Sequence, residues 1–383
     1  MRRYDIDYLR VIVFGLLIFF HAGMFFVPWQ YHLKNPVIYE SAVVPMFFLN
    51  QWRLPLLFII SGMGTYYALS KRNLWQFIGE RLKRLLVPLL FGILFIVPPQ
   101  VYLERLVEGR FSGSFFNFWP AQLASGSYPE GNLSWHHLWF LPYLLLYSMA
   151  FLPAFLYLRR HPQCRFMQLL GKAVGWKFGI YVFILPLFLW VETLLPHFPL
   201  THTLIGDWFY LAQYATFFFS GFLLVSLKDI FWEAVRKNRH FYVITGVAAF
   251  LLLMLLRFGV SLPVGQKTLL AIAKVVNQWS WCLAAMGYAA AYLNRESKGL
   301  SYANEAVYPF YILHQTVQIL IFYYIKDLDY GFFPKFAISV VGTFAITWLI
   351  YEFGIRRYRL IRPLFGMKNG LSVEKKRTAK AHL

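Results

Sequence analysis

Residues 7–27, DYLRVIVFGLLIFFHAGMFFV, form an apolar run in which Arg10 and His21 stand out. At a rise of 1.5 Å per residue, roughly 20 residues cross about 30 Å of hydrocarbon. The run is therefore long enough to be a membrane-spanning helix. It lacks the small-residue cleavage site of a signal peptide, so we expect it to be a retained anchor.

The same pattern recurs along the 383 residues, of which 59% are hydrophobic and only 14% charged. Soluble domains average about 25% charged residues, so this composition excludes a soluble or a disordered chain. Two cysteines exclude a disulfide scaffold. The net charge of +20 lies in short clusters between apolar runs, which is not typical of nucleic-acid binding. Ten spans are predicted, at 7–27, 44–69, 85–106, 137–158, 174–195, 208–227, 241–258, 268–293, 303–325 and 334–354.

Lys and Arg predict the orientation of these spans. With the N-terminus inside, 28 of the 37 Lys and Arg residues fall in inside segments and 7 in outside segments. Such a bias places both termini in the cytoplasm. We therefore predict an all-α, polytopic membrane bundle of about ten helices. Residues 1–366 would be the membrane domain, and 367–383 a basic, disordered cytoplasmic tail.

Arg10 and His21 lie eleven residues apart on the first predicted helix. Eleven steps of about 100° end roughly 20° past three full turns, so both side chains share one face, about 16.5 Å apart along the axis. Ionisable residues inside spans are candidates for function. Taken alone, Arg10 is also explained by snorkelling to the interface, and His21 by a satisfied position in the core.

Other polar residues fall inside or at the outer ends of spans. Arg53, in the second span, needs an anionic partner or water, and pairing with Glu40 or Glu192 is the structural alternative. Together these residues suggest a wet cavity in the outer half of the membrane, although each alone is also explained by a structural role. The further candidates are His136, His137, Trp139, Glu192, Asp207, Asn277, Gln278 and His314.

Several kinds of site have no sequence signal. The chain contains no Gly-x-Ser-x-Gly elbow and no P-loop. No Cys/His spacing typical of zinc sites is present, so the sequence predicts no metal site.

The polar motifs resemble those of a known family. Arg10-x10-His21 resembles the Arg-x10-His signature of the acyltransferase 3 family of integral membrane acyltransferases. Four further motifs follow in that family's order over about residues 5–360. They are Arg53-Leu-Pro-Leu-Leu-Phe-Ile-Ile-Ser-Gly62, Glu80-Arg-Leu-Lys-Arg-Leu-Leu-Val-Pro88, His137-Leu-Trp-Phe-Leu141 and Tyr308-Pro-Phe-Tyr-Ile-Leu-His314.

The resemblance implies transfer of an acyl group from cytoplasmic acyl-CoA to a sugar hydroxyl outside the membrane. It is greatest to a branch associated with succinylation of periplasmic glucans, which implies a multi-pass protein of a bacterial inner membrane. The donor would be succinyl-CoA or acetyl-CoA, with no permanently bound cofactor. The acceptor would be a glucan or another polysaccharide.

The resemblance gives the candidate residues roles. His21 would act as general base, and Arg53 or His314 would stabilise the oxyanion. Two other classes of function stay open, a transporter or flippase of a small anion or lipid-linked sugar, and a non-catalytic partner in an envelope-glycan complex. Arg10, Arg81 and Arg84 would bind the phosphates of the donor, and His137, Trp139 and Glu192 the acceptor.

The charge bias makes a prediction about topology. A fluorescent protein fused to the C-terminus should fluoresce, because it would fold in the cytoplasm, and alkaline phosphatase at that position should be inactive. Phosphatase inserted after Lys34, in the first predicted outside segment, should be active. The reverse pattern of the two reporters would contradict the predicted orientation.

Overall fold

The computed structural model describes residues 3–259, 262 and 264–368. Across these residues the regular structure is helical, with no β-strand and one isolated bridge between Ser127 and Leu133. Of the predicted tail, 367–383, only the first two residues are among those described. This outcome agrees with the predicted all-α class.

The longest connections between the helices are 25–42, 123–139 and 194–207. Several of the helices contain π turns, which continue the same helix. In chain order they are α1 Tyr4–Met24, α2 Val43–Leu69, α3 Leu74–Val107, α4 Phe115–Gln122, α5 Phe140–Ala150, α6 Leu152–Arg160, α7 Arg165–Gly175, α8 Ile184–Thr193, α9 Trp208–Ser226, α10 Asp229–Lys237, α11 Arg239–Gly259, α12 Gln266–Tyr292, α13 Lys298–Ile325 and α14 Phe332–Ile355.

Within the described ranges, seven helices are long and apolar enough to cross a membrane, or eight if the bent pair His136–Ala150 and Leu152–Arg160 is one span. These eight correspond to eight of the ten predicted spans. The predicted span 174–195 instead contains a shorter apolar helix, Gly179–Thr193. The predicted span 303–325 lies within α13, which is 28 residues long but is not among the seven. Polar side chains in the middle of α13 account for its lower hydropathy.

Contacts divide the chain into two compact units. The first unit comprises Met1–Phe20, Val43–Ile78 and Tyr143–Asn304, and the second His21–Ala42, Gly79–Pro142 and Glu305–Leu383. Helix α1 therefore contributes its first part to one unit and its last turn to the other.

In the first unit, α2 and α9 approach each other through two glycines. A Cβ atom added at Gly62 would lie 1.9 Å from the carbonyl oxygen of Phe218, and one at Gly221 would lie 2.0 Å from that of Ile59. No side chain fits at either position, so the two backbones pack directly. Small residues allow such close approach between membrane helices.

In the second unit, Pro88 interrupts the hydrogen bonding of α3. A proline has no N–H to donate to the carbonyl four residues earlier, which here belongs to Arg84. The Tyr308 hydroxyl on α13 donates to that carbonyl at 2.7 Å. A side chain of α13 therefore satisfies a backbone group of α3 that the proline leaves without its helical donor.

A second interruption of α3 lies near Pro98. The carbonyl of Leu94, four residues earlier, accepts a hydrogen bond of 2.7 Å from the Trp119 indole on α4. The Thr316 hydroxyl on α13 donates to the carbonyl of Ile96, also at 2.7 Å. The broken part of α3 is therefore held to α4 and α13 by specific side-chain donors.

The end of α1 and the segment after it are fixed within the second unit. Phe25 stacks on Phe322 of α13 with ring centroids 3.7 Å apart, inside a buried apolar cluster. The Lys34 ammonium donates to the carbonyls of Met24, Val27 and Trp29. Partial burial lowers the pKa of this amine to about 8. A cation here complements the carbonyls that the helix end leaves unpaired.

The glycine contact predicts the effect of adding one methyl group. Gly221→Ala should destabilise the protein by about 1–3 kcal/mol, because the new Cβ forces α2 and α9 apart. The melting temperature in detergent measures this effect.

Gly15→Ala is the matched control, since a Cβ at Gly15 on α1 meets nothing within 4 Å. That variant should melt at or above the wild-type temperature, because alanine favours the helix. Equal melting of wild type and Gly221→Ala would show that the contact is not tight.

Candidate active site

Two of the predicted catalytic residues, His21 and His314, meet in the second unit. Nε2 of His314 on α13 lies 3.1 Å from Nδ1 of His21 at the end of α1. Their rings stack with centroids 5.1 Å apart and an angle of 24° between the planes. The residues are 293 positions apart in sequence, so their contact is a result of the fold.

Hydrogen bonds fix the tautomers of this pair. Nδ1 of His314 lies 2.7 Å from the carbonyl of Tyr311, which only accepts, so that nitrogen carries the proton. In a neutral ring, Nε2 of His314 then has the lone pair and accepts from the Nδ1–H of His21. It follows that Nε2 of His21 carries a lone pair and is the basic atom of the pair.

His137 packs against the same pair through a hydrogen-bonded network. Its ring lies perpendicular to that of His314, with centroids 5.2 Å apart. Its Nε2 donates to the carbonyl of Ile312 at 2.9 Å, and its Nδ1 accepts from the Gln100 amide at 3.3 Å. Both nitrogens are therefore engaged, which fits a residue that positions its neighbours.

The network contains residues that the sequence analysis missed. Gln100 also donates to the Thr316 hydroxyl at 2.6 Å and accepts from Gln315 at 3.0 Å. All three side chains are buried, and each lies inside a predicted span. A glutamine inside an apolar span is the signal that could have identified Gln100 and Gln315.

Tyr31 is a second residue that the sequence analysis missed. Its ring lies 6.0 Å from that of His21, and its buried hydroxyl has no hydrogen-bond partner. Burial raises the pKa of this hydroxyl above its usual value, so it stays protonated and can donate. It follows the first predicted span, where tyrosines are common at the interface and attract no notice.

Arg53 lies in the first unit and is buried on α2, with 2% of its surface exposed. Its guanidinium covers the Phe20 ring at 3.9 Å, while Nε and Nη1 have no hydrogen-bond partner. These two nitrogens do not form the carboxylate pair that the sequence offered as an alternative. A buried arginine with unused donors is suited to an anionic ligand or water.

The three arginines predicted to bind donor phosphates have protein partners. Arg10 donates to Asp7 at 3.3 Å and to Asn304 at 3.1 Å in the first unit. Arg84, in the second unit, donates to the carbonyl of Gly366 at 3.2 Å. Arg81 is half-buried, one turn before it. Arg84 also forms an ion pair of 3.8 Å with Glu80.

The two other predicted acceptor-binding residues lie in different units. Trp139 is buried in the second unit, at the end of the 3-10 turn His136–Trp139 that precedes α5. Glu192 is exposed near the end of α8 in the first unit. The structure therefore brings together His21, His137 and His314 among the predicted site residues.

One group of side chains in the described part of the chain has the spacing of metal ligands. His32, Glu104 and His136 each offer one ligand atom, and these atoms lie within 4.8 Å of one another. They are distant in sequence, so no local motif could have predicted the group. The expectation of no metal site rested only on the absence of such motifs.

Comparisons with known proteins agree with the geometry of a membrane enzyme. Residues 3–352 match the acyltransferase 3 family, described as an acyltransferase domain. Glucans biosynthesis protein C of Salmonella schwarzengrund is 22% identical over 380 residues, covering 96% of this chain and 95% of the relative. The protein of that name from Salmonella typhimurium is 21% identical and covers 98% of both chains. No solved structure matches the chain.

The family match covers most of the chain and confirms the resemblance seen in the motifs. Together with the long apolar helices, it shows a multi-pass membrane protein. The chain belongs to the acyltransferase 3 family of membrane acyltransferases.

Proposed function

We propose that the protein transfers an acyl group from acyl-CoA to a hydroxyl of a glucan, with His21 as the general base. The observation that carries this proposal is the His21–His314 pair, whose hydrogen bonds leave the lone pair of His21 on Nε2. The acyltransferase family supplies the reaction class. The relatives named Glucans biosynthesis protein C favour a glucan as the acceptor.

The proposed reaction needs only one proton acceptor. Nε2 of His21 takes the proton of the sugar hydroxyl while its oxygen attacks the thioester carbonyl. The C–S bond then breaks, and the imidazolium returns the proton to the departing CoA sulfur. His314 accepts a hydrogen bond from Nδ1–H of His21 throughout, which orients the ring and stabilises its cationic form.

The oxyanion formed in this reaction needs a donor. Both nitrogens of His314 already have hydrogen-bond partners, which favours a positioning role for this residue over the oxyanion role first expected of it. The Tyr31 hydroxyl, which is buried and without a partner, is our proposed donor. Arg53 stays a predicted anion contact, supported by its two unused nitrogens.

The finer topology is also part of the proposal. We propose that α13 and the helix Gly179–Thr193 cross the membrane as well, which gives ten spans with both termini in the cytoplasm. The distribution of Lys and Arg supports this arrangement, and a bacterial inner membrane is the proposed location. Donor acyl-CoA would then approach from the side where Arg10, Arg81 and Arg84 lie.

His21 variants test the general base. His21→Gln should lower kcat by about 10²–10⁴, because glutamine can still donate to His314 but cannot take a proton. The measurement is glucan-dependent release of CoA thiol from succinyl-CoA and from acetyl-CoA by purified protein in detergent.

The matched control is His161→Ala, an exposed histidine in the first unit, which should transfer at the wild-type rate. Wild-type turnover by His21→Gln would contradict the general-base role. If folded wild type releases no CoA but carries a small anion or lipid-linked sugar across proteoliposomes, the transporter is the better description.

Arg10→Lys tests the donor contact separately. The substitution should raise KM for acyl-CoA about tenfold with kcat nearly unchanged, since lysine loses the planar fork that suits phosphate. Arg165→Lys, an exposed arginine at the start of α7, should leave KM unchanged. An unchanged KM in Arg10→Lys would assign Arg10 to its contacts with Asp7 and Asn304 alone.

A further inference from the structure

Three side chains of the second unit converge outside the His21–His314 pair. His32 lies in the segment after α1, Glu104 in the last turn of α3, and His136 at the start of the 3-10 turn before α5. Their ligand atoms lie within 4.8 Å of one another. The rings of His32 and His136 are 4.3 Å apart between centroids.

His136 is held in a conformation that leaves one nitrogen without a partner. Its Nδ1 lies 2.9 Å from the Ser134 hydroxyl, which also accepts from the backbone N–H of His136 at 3.0 Å. In the tautomer with the proton on Nδ1, this atom donates to Ser134 and Nε2 carries the lone pair. This Nε2 is buried and has no hydrogen-bond partner. The backbone φ of His136 is +38°, a left-handed conformation that is unfavourable for histidine, so the surrounding structure must offset its conformational energy.

Glu104 is oriented from both sides. One carboxylate oxygen lies 2.5 Å from Nδ1 of His32, and the other accepts from the Tyr128 hydroxyl at 2.8 Å. Arg105 is the nearby positive charge, 3.8 Å from Glu104, but it is 2.9 Å from Glu108. It also donates to the carbonyls of two loop residues, so its charge is largely compensated.

We propose that His32, Glu104 and His136 bind one divalent transition-metal ion of the Zn²⁺ type. Two imidazoles and a carboxylate form a ligand set used by zinc sites that keep an open position. The hydrogen bond between His32 and Glu104 explains why these two side chains lie together without a metal ion. It does not account for the buried Nε2 of His136, which has no hydrogen-bond partner and belongs to the same group.

Shifts of the side chains suffice to form the site. Bonds of about 2.0–2.1 Å in a tetrahedral site place ligand atoms roughly 3.4 Å apart. The distance between Nδ1 of His32 and the Glu104 carboxylate would increase from 2.5 Å. The ligand atoms that now lie farthest apart, within 4.8 Å, would move closer together. His32 would present the lone pair of one ring nitrogen to the ion, with its proton on the other nitrogen. Tyr128 and Ser134 already supply the hydrogen bonds that orient metal ligands in such sites.

The ion would connect three separate segments of the second unit. It would join the segment after α1 to the end of α3 and to the turn before α5. Tyr31, next to His32, has its ring 6.0 Å from that of His21. The metal would therefore fix the segment that carries the proposed oxyanion donor, with its open position available to water or a hydroxyl.

The metal content of the purified full chain tests this proposal directly. After treatment with a chelator and then ZnCl₂, wild type should hold one zinc per chain by mass spectrometry of the metal. His32→Ala and His136→Ala should each lose this stoichiometric zinc, and the control His161→Ala should keep it. Circular dichroism and gel filtration establish that each variant is folded.

Two further measurements apply even if an alanine variant fails to fold. Tyr128→Phe should weaken zinc binding about 10–100-fold, because it removes the hydrogen bond to Glu104. Cobalt added to wild type should show the visible absorption of a four-coordinate ion. Folded wild type without zinc, or a folded His136→Ala with one zinc per chain, would overturn the proposal. None of these readouts depends on acyl transfer, so they stand apart from the test of His21.

Discussion

The second unit depends on the need to satisfy backbone carbonyls where prolines interrupt α3. Hydrocarbon offers no donor for these groups, so side chains of neighbouring helices must supply one. Tyr308 and Thr316 supply it from α13, and both belong to the helix that carries His314. These two hydrogen bonds therefore hold α13 against α3, and α13 carries the imidazole that contacts His21. The same contacts therefore serve the packing of α3 and the position of the His21–His314 pair.

The histidines near His21 differ in the hydrogen-bond partners of their ring nitrogens. His137 has both nitrogens engaged, and His314 has one on a carbonyl and the other on His21. Within the His21–His314 pair, the protonation of His314 fixes that of His21, which carries its lone pair on Nε2. Such chains of hydrogen bonds specify a single tautomer in a low-dielectric interior. The arrangement needs no change of the backbone during the proposed reaction.

The sequence was sufficient for the class of fold and the family. Because polar residues inside apolar runs are rare, it also pointed to His21, His137 and His314, which lie together in the structure and whose roles stay predictions. It did not give the partners of these residues, since a contact over 293 positions has no local signal. The helix α13 was predicted as a span from its length and pattern. Polar residues in its middle lower its mean hydropathy, so it is not among the seven most apolar long helices. His32, Glu104 and His136 come from three separate segments, so spacing rules for metal sites could not reveal them.

The glycine contact between α2 and α9 also affects how the first unit can move. Packed helices usually slide past each other by small changes of side-chain rotamers. Where Gly62 and Gly221 meet, no side chains separate the backbones, so this adjustment is not available. We therefore expect the two helices to move as one rigid body, which includes Arg53 on α2. Any anion that binds Arg53 would meet a guanidinium anchored to a rigid support.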